Sequence, residues 1–187
     1  MIGEVIQQGR VSPEKKNVGF LVEKLDESAA GRLVAALSYE LAGEFNTFII
    51  VCNRRESGKP ASGTVLDLNG GMAMVGLKLT KSSAQINRMI KEYDIELLVS
   101  AGQRGNVING LYNHSCTSAA CVFTGAKGAG ASSGVVSGTA ARFRKRMLSD
   151  ALKEADYMIR LNSAAAGGTL QTNLEICADS IRDLIDR

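Results

Sequence analysis

Proline is scarce in this chain and tryptophan is absent: its 187 residues include 2 Pro, 0 Trp, 1 His, 4 Tyr and 5 Phe. So little proline excludes Pro-rich linkers, and so few aromatics argue against a single-stranded nucleic-acid binder built on stacked rings. One histidine, His114, and four cysteines at 52, 116, 121 and 177 with no C-x-x-C spacing leave no usual zinc set, so no metal site is expected. The cysteines sit among apolar or small neighbours, as in Ile49–Cys52 and Ala119–Val122, and read as reduced, buried thiols of a cytosolic protein. A Cys116–His114 catalytic pair is disfavoured, because residues two apart rarely face each other. Long hydrophobic runs are also missing. No stretch approaches the roughly 18 apolar residues of a membrane span, and Met1–Val11 is too polar for a signal peptide. Charge of one sign is missing too: 22 basic against 19 acidic residues leave a net +3. That is too even for a dedicated nucleic-acid surface, and no nucleic-acid partner is expected.

What is present is glycine, 20 residues of it, in a chain 45% apolar and 22% charged. Those are globular proportions with many tight turns, and the length fits one domain. Met1–Lys16 reads as a polar lead-in, and Asn17–Arg187 as a single domain. Asn17–Val22 (NVGFLV), Thr47–Cys52 (TFIIVC), Ile95–Ser100 (IELLVS), Ala119–Thr124 (AACVFT) and Tyr157–Leu161 read as strands, several apolar throughout as in sheets buried on both faces. Val65–Leu68 and Met72–Leu77 are shorter strand candidates. Helical spacing marks Ala30–Gly43, Ser82–Tyr93 with Thr80 or Ser82 as N-cap, Asn106–Tyr112, Thr139–Ala155 with Phe143, Met147, Ala151 and Ala155 four apart, and Gly168–Asp186.

Strands alternating with helices predict an α/β fold. It is a doubly wound, mostly parallel Rossmann-like sheet with helices on both faces. Such sheets bind ligands at the carboxyl ends of strands, near the point where strand order reverses. Functional residues are therefore expected just after Val22, Cys52, Ser100, Thr124 and Leu161.

Three segments then carry a family likeness. Asn17–Phe45, with Ser28-Ala29-Ala30-Gly31-Arg32 leading into Leu33-Val34-Ala35-Ala36-Leu37, resembles the first strand, Gly-Gly-Ala-Glu-Arg type turn and helix that open the family 4, GT-B-type glycosyltransferases. Ile86–Gly110 is similar to that family's helix, Lys-x-x-x-Pro-Asp type turn, strand and following helix. Ala155-Asp156-Tyr157-Met158-Ile159, followed by Asn162-Ser163, resembles its Ala-Asp, short strand and Ser segment. The segments stand in family order across most of Asn17–Arg187. There are departures. Ser28 and Ala29 stand where the family has two glycines, Gly31 stands for the acid of the Glu-Arg pair, and Tyr93-Asp94 stands for Pro-Asp. No Glu-x7-Glu motif occurs in a matching context.

The resemblance implies the N-terminal, acceptor-side half of an enzyme that moves a sugar from a nucleotide-sugar donor to an acceptor hydroxyl. The donor is a co-substrate, not a resident cofactor. A C-terminal GT-B domain, in cis or as a separate subunit, would complete the donor site, and the acceptor would be a carbohydrate or lipid-linked sugar. Alone, this half is expected to be inactive. The substrate-binding candidates are Ser28, Ala29 and Arg32 at the first turn, Ser100, Gly102, Gln103 and Arg104 after the Ile95–Ser100 strand, Lys127 in the Gly125–Gly138 loop, and Ser163. Arg142, Arg144, Lys145 and Arg146 form a basic run that suits an anionic membrane surface, implying a cytoplasmic protein peripheral to the inner face of a membrane. Two alternatives remain open. One is a non-catalytic scaffold of the same fold. The other is an unrelated Rossmann- or flavodoxin-like nucleotide binder using Gly125–Gly134.

Overall fold

The computed structural model describes residues 4–52, 60–68, 77–113, 115–124, 138–162 and 169–187. In chain order its elements are β1 (Glu4–Gln7), β2 (Asn17–Val22), α1 (Ala29–Glu40), β3 (Asn46–Val51), β4 (Thr64–Asp67), α2 (Leu77–Glu92), β5 (Leu97–Ala101), α3 (Gln103–Tyr112), β6 (Thr117–Thr124), α4 (Gly138–Glu154), β7 (Tyr157–Asn162) and α5 (Leu170–Ile185). One sheet of seven strands has the order β1-β4-β3-β2-β5-β6-β7. β2 to β7 are parallel, and β1 runs antiparallel along the outer edge of β4.

β3 and β4 lie on one side of β2, whereas β5, β6 and β7 lie on the other. The chain therefore reverses direction between β2 and β5. Right-handed crossovers that travel in opposite directions place their helices on opposite faces. One apolar cluster accordingly joins Leu33, Val34 and Leu37 of α1 with Cys177, Ala178 and Ile181 of α5. The other joins Ile86, Met89 and Ile90 of α2 with Ile108 of α3, and Met147 of α4 packs against it. The central strands are buried on both faces, which is why they read as unbroken apolar runs. The predicted doubly wound, Rossmann-like α/β class is the one observed.

Several local expectations change. The polar lead-in contains β1, whose Glu4 and Val5 pair with Asp67 and Leu66. Leu77, read as the end of a strand, begins α2, so Thr80 and Ser82 lie inside that helix rather than before its first residue. The rest of that strand candidate, 72–76, lies outside the described residues. α3 begins at Gln103, three residues earlier than expected. Phe143 does not join Met147 and Ala151 in the core and is 54% exposed. α4 approaches α3 most closely where Gly110 faces the Ala151 backbone, and Phe143 lies about 12 Å away along the helix axis.

Candidate functional site

The registers bring Val22 of β2 level with both Val51 of β3 and Ala101 of β5. The turns that leave these three strands thus meet at one edge of the sheet, where the strand order reverses. After β2 the chain turns through Glu23–Ser28 into α1. Leu25 is buried and anchors this turn in the α1/α5 cluster. Ser28 caps α1: its hydroxyl accepts from the Gly31 amide at 3.1 Å, and its own amide donates to Asp26 Oδ1 at 3.0 Å. Burial pushes the Asp26 carboxyl up, but hydrogen bonds from Ser28 and Lys24 outweigh it and hold the group below its ordinary value. The turn is tightly closed, since a Cβ on Gly31 would come within 2.6 Å of the Asp26 amide nitrogen. An acidic side chain in place of Gly31 has no room.

After β5, Gly102 caps α3 with φ of +90°, a conformation that favours glycine, and its Cα faces Ala30 in the first turn of α1. Arg104, in the first turn of α3, reaches back across the edge to Glu23 in an ion pair of 2.8 Å. Both side chains are about two-fifths exposed, at 43% for Arg104 and 39% for Glu23. Cys52, just past β3, is fully buried nearby. Burial, then the charge of Glu23, pushes its thiol up; Arg104 opposes this and Asp67 at the end of β4 adds to it. Four strand ends therefore place Glu23, Cys52, Asp67 and Arg104 within electrostatic reach of one another.

The sequence-predicted residues separate at this edge. Ser28, Ala29 and Arg32 are exposed on the first turn of α1, and Gln103 is exposed beside the half-buried Arg104 on α3. The structure brings these together with Gly102. Ser100 does not belong to the accessible surface. It is 0% exposed, and its hydroxyl donates to Asn106 Oδ1 at 2.8 Å. It sits inside a buried amide network in which Asn106 donates to Cys121 O and Asn109 donates to Leu98 O and Ala119 O. Ser100 holds α3 against β5 and β6 from beneath. Lys127, Ser163, His114 and the Gly125–Gly134 stretch lie outside the described residues. Arg142, Lys145 and Arg146 are exposed on α4.

Glu23 is the residue that sequence reasoning missed. Its signal was there, an acid directly after the first buried strand, but its partner Arg104 is 81 positions away. The pairing becomes legible only when β2 and β5 are known to be neighbours.

Chemically, the edge offers a carboxylate that accepts and a guanidinium that donates, flanked by the first turns of two helices. That set suits polyhydroxyl or anionic groups. Among the described residues no cluster of His, Cys, Asp and Glu could hold a metal ion. A shallow polar depression of about 240 Å³ lies at the opposite, amino end of the strands, lined by Ser12, Lys15, Asn46 and Asp94 among others. There the Asn46 side-chain amide is already engaged by Ser12, Lys15 and Asn17. With its buried amide satisfied from within the chain, that depression is the weaker candidate, and the strand carboxyl edge is the stronger.

Strand order and parallel register together define a Rossmann-like α/β protein. No protein-family model matches the sequence, and no curated protein matches it. Among solved structures, the chain is similar to Clostridium botulinum phage c-st TubZ in a C-terminal tail truncated form. The TM-score is 0.52 at 11% identity, covering 91% of this chain and 60% of that one. The chain thus spans less than two thirds of that protein's length, and at this identity the likeness shows the fold alone. Among the described residues, no helix is long and apolar enough to cross a membrane.

Proposed function

We propose that this chain is the acceptor-side domain of a GT-B-type glycosyltransferase resembling family 4. The observation that carries the reading is the Glu23–Arg104 pair at the reversal point. It joins the turn after β2 to the first turn of α3, in the two longest segments that resemble the family. Glu23 accepts from acceptor hydroxyls, and Arg104 and Gln103 donate to hydroxyls or a phosphate. Arg32 adds a cation from α1. The Ser28 cap and the closely packed Gly31 fill the turn that two glycines would leave open to a phosphate. Donor binding therefore falls to a second domain, in the same chain or on another.

Calorimetry on this domain alone should give a Kd for UDP- or GDP-sugars weaker than about 1 mM. Joined with its donor domain, the protein should release nucleoside diphosphate from one of a panel of sugar donors only when acceptor is present. Arg104→Ala should raise the acceptor KM about tenfold, by removing a charge-assisted hydrogen bond. If the completed protein releases nucleoside diphosphate from no donor, the reading fails and the scaffold alternative stands.

The reading also includes an anionic membrane surface as the place of work. α4 follows a parallel strand, so its first turns lie at the same carboxyl edge as the Glu23–Arg104 pair. Those turns expose Arg142, Lys145 and Arg146 as well as the ring of Phe143, a combination of charge and apolar reach suited to anionic lipid. Wild type should co-sediment with vesicles containing phosphatidylserine, and a variant with Arg142, Arg144 and Arg146 changed to Ala should lose most of that binding. Equal binding by both would remove the membrane from the reading.

A further inference from the structure

β6 and α5 each bring one thiol to the same point of the core. Cys121 is 1% exposed and Cys177 0%, and their Sγ atoms are 3.6 Å apart, in hydrogen-bonding contact. The site is apolar, since Ile159, Leu161, Ala178 and Ile181 belong to the same cluster. The other two cysteines differ. Cys52 stands past β3 among charged groups, and Cys116 precedes β6, half-buried, with Asn113 as its polar neighbour. By sequence all four are inert buried thiols, but only these two are in contact.

We propose that Cys121 and Cys177 are a latent disulfide, a modification site for peroxide-class oxidants. One thiol attacks a peroxide oxygen, the O–O bond breaks, and the sulfur becomes a sulfenic acid as the first water leaves. The second thiol attacks that sulfur, the S–O bond breaks, and a second water leaves as the S–S bond forms. Two thiols and one hydrogen peroxide thus give one disulfide and two waters.

The sealed core sets the kinetics. The neighbouring Cys177 thiol and then burial push Cys121 well up, which disfavours its thiolate while α5 is docked. The reaction waits for α5 to lift from the sheet. Once formed, the bond fastens α5 to β6, linking positions 56 apart in the chain and closing a loop that contains α4 and β7. It then constrains the unfolded chain and opposes further opening of α5.

The test treats the reduced chain with hydrogen peroxide, in buffer and in urea below the unfolding midpoint, and follows it by intact mass and non-reducing peptide mapping. The expected product is about 2 Da lighter, with the Cys121 and Cys177 peptides joined. Urea should speed its formation, and dithiothreitol should reverse it. The thermal midpoint should rise by about 5 °C. The Cys52→Ala/Cys116→Ala double variant retains the pair and should lose the same mass, whereas Cys177→Ser should not. Gains of about 16 or 32 Da confined to Cys116, or no Cys121–Cys177 link even in urea, would overturn the proposal. None of these readouts depends on sugar transfer, so they stand or fall apart from the proposed function.

Discussion

Asn109 shows what a polar residue can do in the core of this protein. It is fully buried, and its amide nitrogen donates to Leu98 O at 2.8 Å, Ala119 O at 3.1 Å and Ser100 Oγ at 3.2 Å. Asn113 in turn donates to Asn109 Oδ1. The side chain thus sews α3 to two adjacent strands, and the position of Gln103 and Arg104 depends on it. Asn109→Ala removes these bonds and takes one acceptor from the Asn113 amide, which should cost about 2–3 kcal/mol. Asn109→Asp should cost more, because the carboxylate oxygen that replaces the amide nitrogen would face the Leu98 and Ala119 carbonyl oxygens. Urea denaturation measures both, and an Asp variant as stable as the Ala variant would show that the amide donors do not matter. This network was the least legible part of the sequence. Polar residues default to exposed in any sequence reading, so nothing in the helical spacing of Asn106–Tyr112 marked Asn106 and Asn109 as buried. The same default placed Ser100 at the surface.

Between elements, two contacts decide how helices are held. The first is Gly110 of α3, where a Cβ would clash with the Ala151 carbonyl of α4. Gly110→Ala gains about 1 kcal/mol of helix propensity, but forcing two helix backbones apart costs about 3 kcal/mol. Packing wins, and a net loss of about 2 kcal/mol is expected in the denaturant midpoint. A stabilised variant would mean that α4 moves freely on α3. The second contact is Arg182 of α5, which binds Glu44 in the turn before β3 through Nε and Nη2 at 2.7–3.2 Å. The hydrogen bond to Arg182 holds the Glu44 carboxyl below its ordinary value of 4.5. A lowered folded value means that the tie is fully present above the unfolded pKa and is lost as pH falls through the folded one. With Glu44 about half exposed the tie is worth under about 1 kcal/mol. Arg182→Ala should lower stability slightly at neutral pH and flatten the acid limb below about pH 4.5. An unchanged acid limb would remove Glu44 as its source. At this scale the sequence was mostly readable. Apolar runs gave the five longest parallel strands, and periodicity gave all five helices. β1 was hidden because four residues within a polar segment show too little alternation, and its pairing with β4 is a long-range fact. α2 starts early because Leu77–Ser82 has no residue that forbids helix.

Across the whole molecule, the sheet grades from a sealed centre to an open margin. β2 is hydrogen-bonded on both sides, to β3 and β5, and helices cover both its faces. Its amides can exchange with solvent only if a neighbouring strand separates, which is close to global unfolding. β1 is held by β4 alone, through a register that shifts between Val5 and Gln7, and Val5 is 44% exposed. A Gln7 side-chain bond to Ala61 O supplements it. Such an edge opens by local fraying at a small fraction of the global free energy. The sequence anticipated this polarity in part, since it assigned Met1–Lys16 little structure and β2 full burial. Native-state hydrogen exchange should therefore show the Phe20 and Leu21 amides protected about a thousandfold or more beyond the Val5 amide. Urea should accelerate the β2 amides with the full unfolding slope and leave β1 nearly unaffected. If β1 and β2 exchange at one rate with one slope, the antiparallel edge belongs to the cooperative core, and the domain proper begins near Glu4 rather than at Asn17.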